Sequence, residues 1–166
     1  MRTLSITTFL ILVLVLTLSL DASAAEPGTT TAVIPEYADS YPGYGVSESV
    51  RAGDFIYIGG IIATDMEGKV IAPNDGATQV RIIYDRIKRI LAAHGATAKN
   101  VVSETLYLTD WEQLGAGAEI RKQFFDEAGA AYPSAVGQEV VSLALEGLVL
   151  EVQVVAYVGE TKKVGE

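Results

Sequence analysis

Alternating apolar and polar residues predict five strands between residues 44 and 158. The predicted strands cover residues 44–51, 55–63, 101–108, 136–145 and 148–158, because these runs are rich in Val, Ile, Leu or Tyr and are separated by turn-forming or helical stretches. Ala52-Gly53-Asp54 is the turn between the first two strands. Glu146-Gly147 is expected to join the last two strands as an antiparallel pair.

The last predicted strand carries apolar residues on both faces. Every second residue from Leu148 to Val158 is apolar, whereas Glu151 and Gln153 share the opposite face with Val and Tyr residues. A sheet with helices on one side usually leaves its other face to water, and this second face is too apolar for water alone. We therefore expect it to be buried against other subunits, with Glu151 and Gln153 lining a polar spot between them.

A stripe of apolar residues at 3,4-spacing predicts the first helix. The helix begins at Asp75 or Thr78 and runs to about His94, where Gly95 fits the left-handed position that follows a helix. His94 is expected to interact favourably with the C-terminal end of this helix. The stripe that would face the core consists of Val80, Ile83, Ile87, Ile90 and Leu91.

A second helix is predicted to begin at Asp110, which together with Gln113 resembles a capping box. In this helix Ile120, Phe124 and Ala128 would be stacked along one face. The elements then follow the order strand, strand, helix, strand, helix, strand, strand. That order predicts an α+β sandwich that forms oligomers.

Composition excludes several classes of site. The 166 residues include no cysteine and one histidine, so thiol nucleophiles, zinc fingers and two-histidine metal motifs are excluded, and no metal site is expected. Twelve Lys and Arg residues against 21 Asp and Glu residues give a net charge of −9, which opposes binding to nucleic acid. A single globular domain of this length can bury a core without disulfides.

The N-terminal region is predicted to direct export. An uncharged apolar run from Leu4 to Leu20 is followed by Ala22-Ser23-Ala24, the small-residue pattern of a signal-peptide cleavage site. Residues 1–24 are therefore expected to be removed, giving a periplasmic or secreted protein with no stable membrane association. The alternative is an uncleaved membrane anchor. Residues 25–43 contain three prolines and predict an extended arm, residues 44–158 form the domain, and residues 159–166 form a C-terminal tail.

Several sequence strings, taken in order, resemble the Rid family of reactive intermediate deaminases, also called YjgF-like proteins. They span nearly all of residues 44–158. The strings are VRAGDFIYIGG (50–60), ILAAHGA (90–96), VV (101–102), LYLTD (106–110), FF (124–125), YP (132–133) and LEV (150–152) followed by Ala156.

This resemblance implies a chorismate-mutase-like fold, with a mixed sheet that has two helices on one face. It implies a homotrimer in which the sheets form a central barrel and three ligand clefts lie between neighbouring subunits. It also implies hydrolysis of enamines and imines, such as 2-iminobutanoate or 2-iminopropanoate, to 2-keto acids and ammonia, without a metal or cofactor. The expected partners are a small-molecule ligand and other copies of the chain.

The resemblance assigns three residues of this chain to the cleft: Tyr44, Gly60 and Glu151. It also shows what is missing. Ala135 stands where the deaminases of the family have the arginine that pairs with the substrate carboxylate, and Ala118 stands where an asparagine is common. The chain therefore resembles an arginine-less branch of the family.

Alternatives remain for each of these residues. Glu151 is either a general acid and base that positions water or a structural carboxylate that accepts hydrogen bonds from a neighbouring subunit. Tyr44 either lines the cleft or packs against the arm, and Gly60 either approaches a ligand or allows close packing. Arg121 would replace the missing cation only if its helix faces the cleft; otherwise it lies on a solvated face.

Two functions are consistent with this sequence. The first is an imine or enamine deaminase of the Rid type, with weak recognition of a substrate carboxylate. The second is a non-catalytic trimer that binds a small molecule or a partner, as the missing arginine and asparagine suggest.

Overall fold

The computed structural model describes residues 30–33 and 46–160. The predicted signal peptide, Tyr44 and nearly all of the predicted tail lie outside these residues, as does most of the predicted arm. The elements in the described part of the chain are strands β1 (Thr30–Val33), β2 (Ser49–Ala52) and β3 (Phe55–Ile61), helix α1 (Gly76–Ala93), a short 3-10 helix (Ala98–Asn100), strand β4 (Val101–Leu108), helices α2 (Trp111–Leu114) and α3 (Gly117–Glu127), and strands β5 (Ser134–Glu139) and β6 (Leu150–Tyr157).

The six strands form one mixed sheet in the order β1-β2-β3-β6-β4-β5. β4 and β5 are parallel, and all the other neighbours are antiparallel. The parallel pair follows from the connection, because α2 and α3 carry the chain across the sheet between β4 and β5. The α+β class and the mixed sheet predicted for this chain are confirmed.

The predicted hairpin around Glu146-Gly147 is wrong. β5 ends at Glu139 and pairs with β4, while β6 lies between β3 and β4. A turn does form at Gly147, whose φ is +87°, but it belongs to an irregular loop. The buried side chain of Gln79 holds this loop, since it donates to the Gly147 carbonyl at 2.8 Å and accepts from the Val149 amide at 2.8 Å.

The core lies between the sheet and the helices. All five residues of the predicted stripe on α1 are at most 4% exposed, and they pack with the inward face of β6. Both ends of α1 agree with the prediction, because Asp75 accepts a hydrogen bond from the Thr78 amide at 3.0 Å and Gly95 adopts a φ of +72°. The first predicted strand, however, begins at Ser49 rather than residue 44.

The second predicted helix is divided into α2 and α3. Asp110 caps α2 through the Glu112 amide at 2.7 Å, but Gly115, with a φ of +51°, interrupts the helix. The reciprocal bond of a capping box does not form, since the Gln113 side chain reaches the Asp110 carboxylate instead of its amide. Phe125 is the fully buried residue of α3; Ile120, Phe124 and Ala128, the predicted stack, are partly buried against the core.

The face of the sheet opposite the helices is open in the single chain. Phe55 and Tyr57 on β3 are 42% and 50% exposed, and the Phe55 ring packs against Tyr157 of β6 with their centroids 5.1 Å apart. We refer to this aromatic surface as the open face.

His94 lies at the C-terminal end of α1, where the sequence predicts a favourable interaction with the helix end. Its Nε2 lies 2.9 Å from the Ser49 hydroxyl, so the ring links α1 to β2. Burial, together with the nearby Arg51, lowers the pKa of His94. This shift disfavours the charged imidazolium, and the hydrogen bond to Ser49 is the contact that the structure shows for the ring.

Candidate functional site

A cavity of about 740 Å³ opens beside a break in the pairing of β3 with β6. Ile58 pairs with Val154 and Ile61 with Val152, so three steps along β3 match two along β6. This bulge lies at the two adjacent glycines. The lining residues that carry polar groups or shape the cavity include Glu48, Gly59, Gly60, Thr64, Arg86 and Glu151.

Gly60 makes room for the side chain of Glu151. A Cβ atom added at Gly60 would overlap the carboxylate and lie 2.7 Å from Glu151 Cδ. At Gly59 the nearest atoms to an added Cβ are the Ser47 and Glu48 carbonyl oxygens, both at the ordinary distance of 3.5 Å. A Cβ atom at Gly60 would therefore displace the end of the Glu151 side chain, whereas one at Gly59 would displace nothing.

Glu151 is the half-buried carboxylate of the cavity. It lies on β6 opposite Tyr107 of β4, and desolvation by burial raises the pKa of its carboxyl group. No hydrogen bond joins the Glu151 carboxylate to another described residue. A carboxyl group with a raised pKa keeps its proton to a higher pH than an exposed one, and it can exchange that proton with water or with a ligand. The alternative role, as an acceptor of hydrogen bonds from a neighbouring subunit, stays open.

Arg86 and Glu48 form a second polar group at the cavity that sequence reasoning missed. The Arg86 guanidinium donates to the carbonyl oxygens of Ile62 at 3.0 Å and Thr64 at 2.8 Å. Its Nε lies 3.9 Å from Glu48 Oε1, and both side chains are 6% exposed. Desolvation raises the pKa of Glu48, although Arg86 and Arg89 oppose this shift.

One signal for Arg86 was present in the sequence. It lies three residues after Ile83 and four before Ile90, both in the predicted stripe, so helical spacing alone places it on the buried face of α1. A charged residue at such a position needs a buried partner. The sequence around Glu48 has no comparable spacing of apolar residues that would place Glu48 on a buried face.

Arg121 lies on neither a solvated face nor this cavity. Its Nε donates to the fully buried Glu104 at 2.9 Å, its Nη2 also bonds Glu104, and its guanidinium lies 5.2 Å from the centroid of the Phe125 ring. Burial alone would lower the pKa of Arg121, but the Glu104 carboxylate outweighs burial and raises it. Tyr84 completes the cluster by donating to Glu104 at 2.9 Å.

A second, smaller cavity of about 230 Å³ is lined by Arg121 together with Ala118 and Ala135. These are two of the positions at which the sequence departs from the pattern of the deaminases it resembles. The charge of Arg121 is already balanced by Glu104, so this cavity presents no free cation to a ligand within the chain.

The structure therefore brings together two of the predicted site residues. Gly60 and Glu151 are in contact at the larger cavity, whereas Ala135 lines the smaller one. Tyr44 lies outside the described residues, and its predicted role in the cleft stays a prediction. In the described part of the chain, no group of three or more Asp, Glu or His side chains is placed to hold a metal ion, and no helix is long and apolar enough to cross a membrane.

Comparison with known proteins agrees with this fold. Residues 39–158 match the family described as endoribonuclease L-PSP. A RutC family protein of Pyrococcus horikoshii is 32% identical over 111 residues, which are 67% of this chain and 85% of the relative. The 3-aminoacrylate deaminase RutC of Acinetobacter baylyi is 30% identical over 90 residues, 54% of this chain and 71% of that enzyme. The crystal structure of the YjgF gene product of E. coli superposes with a TM-score of 0.67 at 26% identity, covering 76% of this chain and 98% of that structure.

Proposed function

Because this chain belongs to the endoribonuclease L-PSP family, which includes the YjgF and Rid proteins, we propose that it binds a small imine, enamine or carbonyl compound. We propose further that it hydrolyses the imine to a carbonyl compound and ammonia. The observation that carries this proposal is the half-buried Glu151 carboxylate, which has a raised pKa and lies against Gly60 in the larger cavity.

Glu151 would act on water in this reaction. The carboxylate takes a proton from a water molecule as the water oxygen attacks the imine carbon, and the imine nitrogen receives a proton. The resulting carbinolamine then loses its nitrogen as ammonia, and the C–O bond becomes the carbonyl of the product. The net reaction consumes one water for each ammonia released and requires no oxidant, metal or cofactor. A carboxyl group whose pKa lies nearer neutrality is better suited to such transfers than an exposed one.

The same proposal includes assembly as a homotrimer, with ligand clefts between neighbouring subunits. The open face supports this assembly. The rings of Phe55 and Tyr57 are exposed in the single chain, and contact with a neighbouring subunit would remove this aromatic surface from water. The acidic net charge of −9 opposes RNA as the ligand, so we propose no ribonuclease activity.

A second candidate function is a trimer that binds a ligand without chemistry. Ala118 and Ala135 favour it, because neither side chain can form a hydrogen bond with a ligand in the smaller cavity. The guanidinium of Arg121, which also lines this cavity, is already paired with Glu104. Both candidates share the larger cavity, and they differ in whether Glu151 exchanges protons with a reacting ligand.

The experiment follows the decay of two transient imines. A pyridoxal-phosphate dehydratase acting on threonine supplies an imine that bears a carboxylate, and a flavin amine oxidase acting on butylamine supplies one that does not. Faster release of carbonyl product with the protein than without it, for either imine, supports the deaminase. No acceleration of either reaction would contradict it and favour the binding protein.

We also propose that the protein is exported after removal of residues 1–24. The apolar run and the Ala22-Ser23-Ala24 pattern support this proposal. N-terminal sequencing of protein recovered from the envelope or medium should give Ala25 as the first residue. Recovery of the intact N-terminus in the membrane fraction would support the anchor instead.

A further inference from the structure

The polar lining of the larger cavity is mainly acidic. Three carboxylates, those of Glu48, Glu67 and Glu151, share the cavity with one guanidinium, that of Arg86. The two terminal nitrogens of Arg86 donate hydrogen bonds to the carbonyl oxygens of Ile62 and Thr64. With all four groups ionised the lining carries a net charge of −2. Arg89, which does not line the cavity, also acts on Glu48, and the sum with Arg89 included is −1, so the cavity still favours a ligand cation over a ligand carboxylate.

Glu48 is the unusual member of this set. Its side chain is 6% exposed, yet its Oε2 atom has no hydrogen-bond partner among the described residues. The Oε1 atom faces Arg86 Nε at 3.9 Å, which is longer than a hydrogen bond. Buried carboxylates in proteins are normally paired through short charge-assisted bonds, so this one has capacity for a further donor.

The position of Glu48 at the cavity is fixed by its own backbone. The Glu48 carbonyl oxygen accepts from the Gly59 amide at 2.8 Å, which attaches residue 48 to β3 beside the bulge. The Thr64 hydroxyl also lines the cavity, is buried and lacks a hydrogen-bond partner in the described chain. The larger cavity is therefore bordered by two polar atoms, Glu48 Oε2 and the Thr64 hydroxyl oxygen, that have no hydrogen-bond partner among the described residues.

A neighbouring subunit that faced the cavity with β5 or β6 would bring no cation to it. No Lys or Arg occurs between Phe125 and Val158, a range that includes both strands. Arg121 is balanced by Glu104.

We infer that the larger cavity recognises the nitrogen of its ligand as a cation, either an ammonium or a protonated imine, through the carboxylates of Glu48 and Glu151. The cavity then selects amines and imines that lack a carboxylate. This inference rests on the proposed function only in taking the cavity as the ligand site. Burial raises the pKa of both carboxyl groups, and a bound cation would stabilise their ionised forms.

Three ligands of similar size test the inference: butylammonium, butyramide and butyrate. Binding to the purified full chain is followed by the NMR shift of the Gly60 amide at neutral pH. We expect the affinities to fall in the order butylammonium, butyramide, butyrate. Glu48→Gln should weaken butylammonium binding at least about tenfold, the effect of losing one charge-assisted bond. Glu127→Gln is the matched control, because it removes the same charge from an exposed position on α3 that lines neither cavity, and it should change the affinity less than about threefold.

Equal or tighter binding of butyrate would overturn the inference, and so would equal effects of Glu48→Gln and Glu127→Gln. If Glu48→Gln does not fold, the ligand order measured on the unaltered chain decides alone. Butylammonium binding through Glu48 without any imine hydrolysis would contradict the proposed deaminase and leave this inference standing. Hydrolysis that depends on Glu151, together with tighter binding of butyrate than of butylammonium, would support the proposed deaminase and overturn this inference.

Discussion

The carboxylate of Glu151 on β6 occupies the space over Gly60 that a Cβ atom would fill, so the absence of one side chain positions another. The bulge in β3 makes this contact possible, because it offsets β3 against β6 at the two glycines. The half-buried carboxylate is held there without a hydrogen bond to any described residue. The candidate site thus depends on a steric relationship between adjacent strands.

Gly60→Ala should displace the Glu151 carboxylate and reduce imine hydrolysis with little effect on stability. The added methyl group overlaps the end of a flexible, half-buried side chain, which can rotate away into the cavity. Gly59→Ala is the control, since its Cβ would meet two carbonyl oxygens at an ordinary 3.5 Å. The imine assay should separate the two variants while denaturant unfolding does not, and equal rates of hydrolysis would contradict the steric argument.

The pair formed by Glu104 and Arg121 should behave as a buried ion pair. Arg121→Met leaves the fully buried Glu104 without its cation, and removal of one partner of such a pair costs about 3–5 kcal/mol. Glu104→Leu combined with Arg121→Met should recover much of that loss, because apolar residues of similar size replace both charges. Lys122→Ala breaks the exposed pair with Asp126 and should leave the free energy of unfolding nearly unchanged. A double variant no more stable than Arg121→Met would contradict this account.

His94 should make the stability depend on pH. Its folded-state pKa lies below the usual value of 6.5, so the unfolded chain binds the proton more tightly. The protein should therefore lose stability as the pH falls through about 6.5 toward the lower folded-state pKa. In His94→Gln this contribution is absent. The difference in the free energy of unfolding between the unaltered protein and His94→Gln should therefore narrow as the pH falls from about 8 to about 5. A difference that stays constant over this range would show that His94 does not contribute.

Assembly should depend on the open face. Tyr57→Glu places a charge on aromatic surface that we propose to be buried between subunits, and light scattering should show dissociation of the trimer. Met66→Glu is the control, because Met66 is equally exposed, at 53% compared with 50%, but lies in the turn after β3. A monomeric parent protein, or trimers that survive Tyr57→Glu, would count against the proposed interface.

Local signals in the sequence were sufficient for α1 and for β4. The stripe and end residues of α1 and the apolar run of β4 each specify their element without help from distant residues. The pairing of β5 was not predictable in this way, because residues 140–149 are rich in Val and Leu but fold as a loop. Their conformation depends on Gln79, about 70 residues away in the chain, which bonds the Gly147 carbonyl and the Val149 amide.

In the candidate site, too, some residues could be predicted from the sequence and others depend on residues far away in the chain. Gly60 and Glu151 were identified through the family resemblance and are brought together by the fold. Glu48 was missed, since nothing in its local sequence shows that Arg86 and the cavity will surround it. The sequence left open whether Arg121 faces the cleft or the solvent, and neither alternative is right, because its partner Glu104 lies on a different element, 17 residues earlier.

The most direct test of the central claim is the rate of imine hydrolysis by Glu151→Gln relative to the unaltered protein, measured on whichever of the two imines reacts faster. We expect kcat/KM to fall by about 10²–10⁴-fold, with the trimer retained and butylammonium binding weakened only about tenfold by the loss of one charge-assisted bond. The unaltered protein should also show a pH dependence set by a carboxyl group with a pKa above the usual 4.5 of glutamic acid. An unchanged rate in the glutamine variant would contradict the claim that Glu151 carries protons in this site.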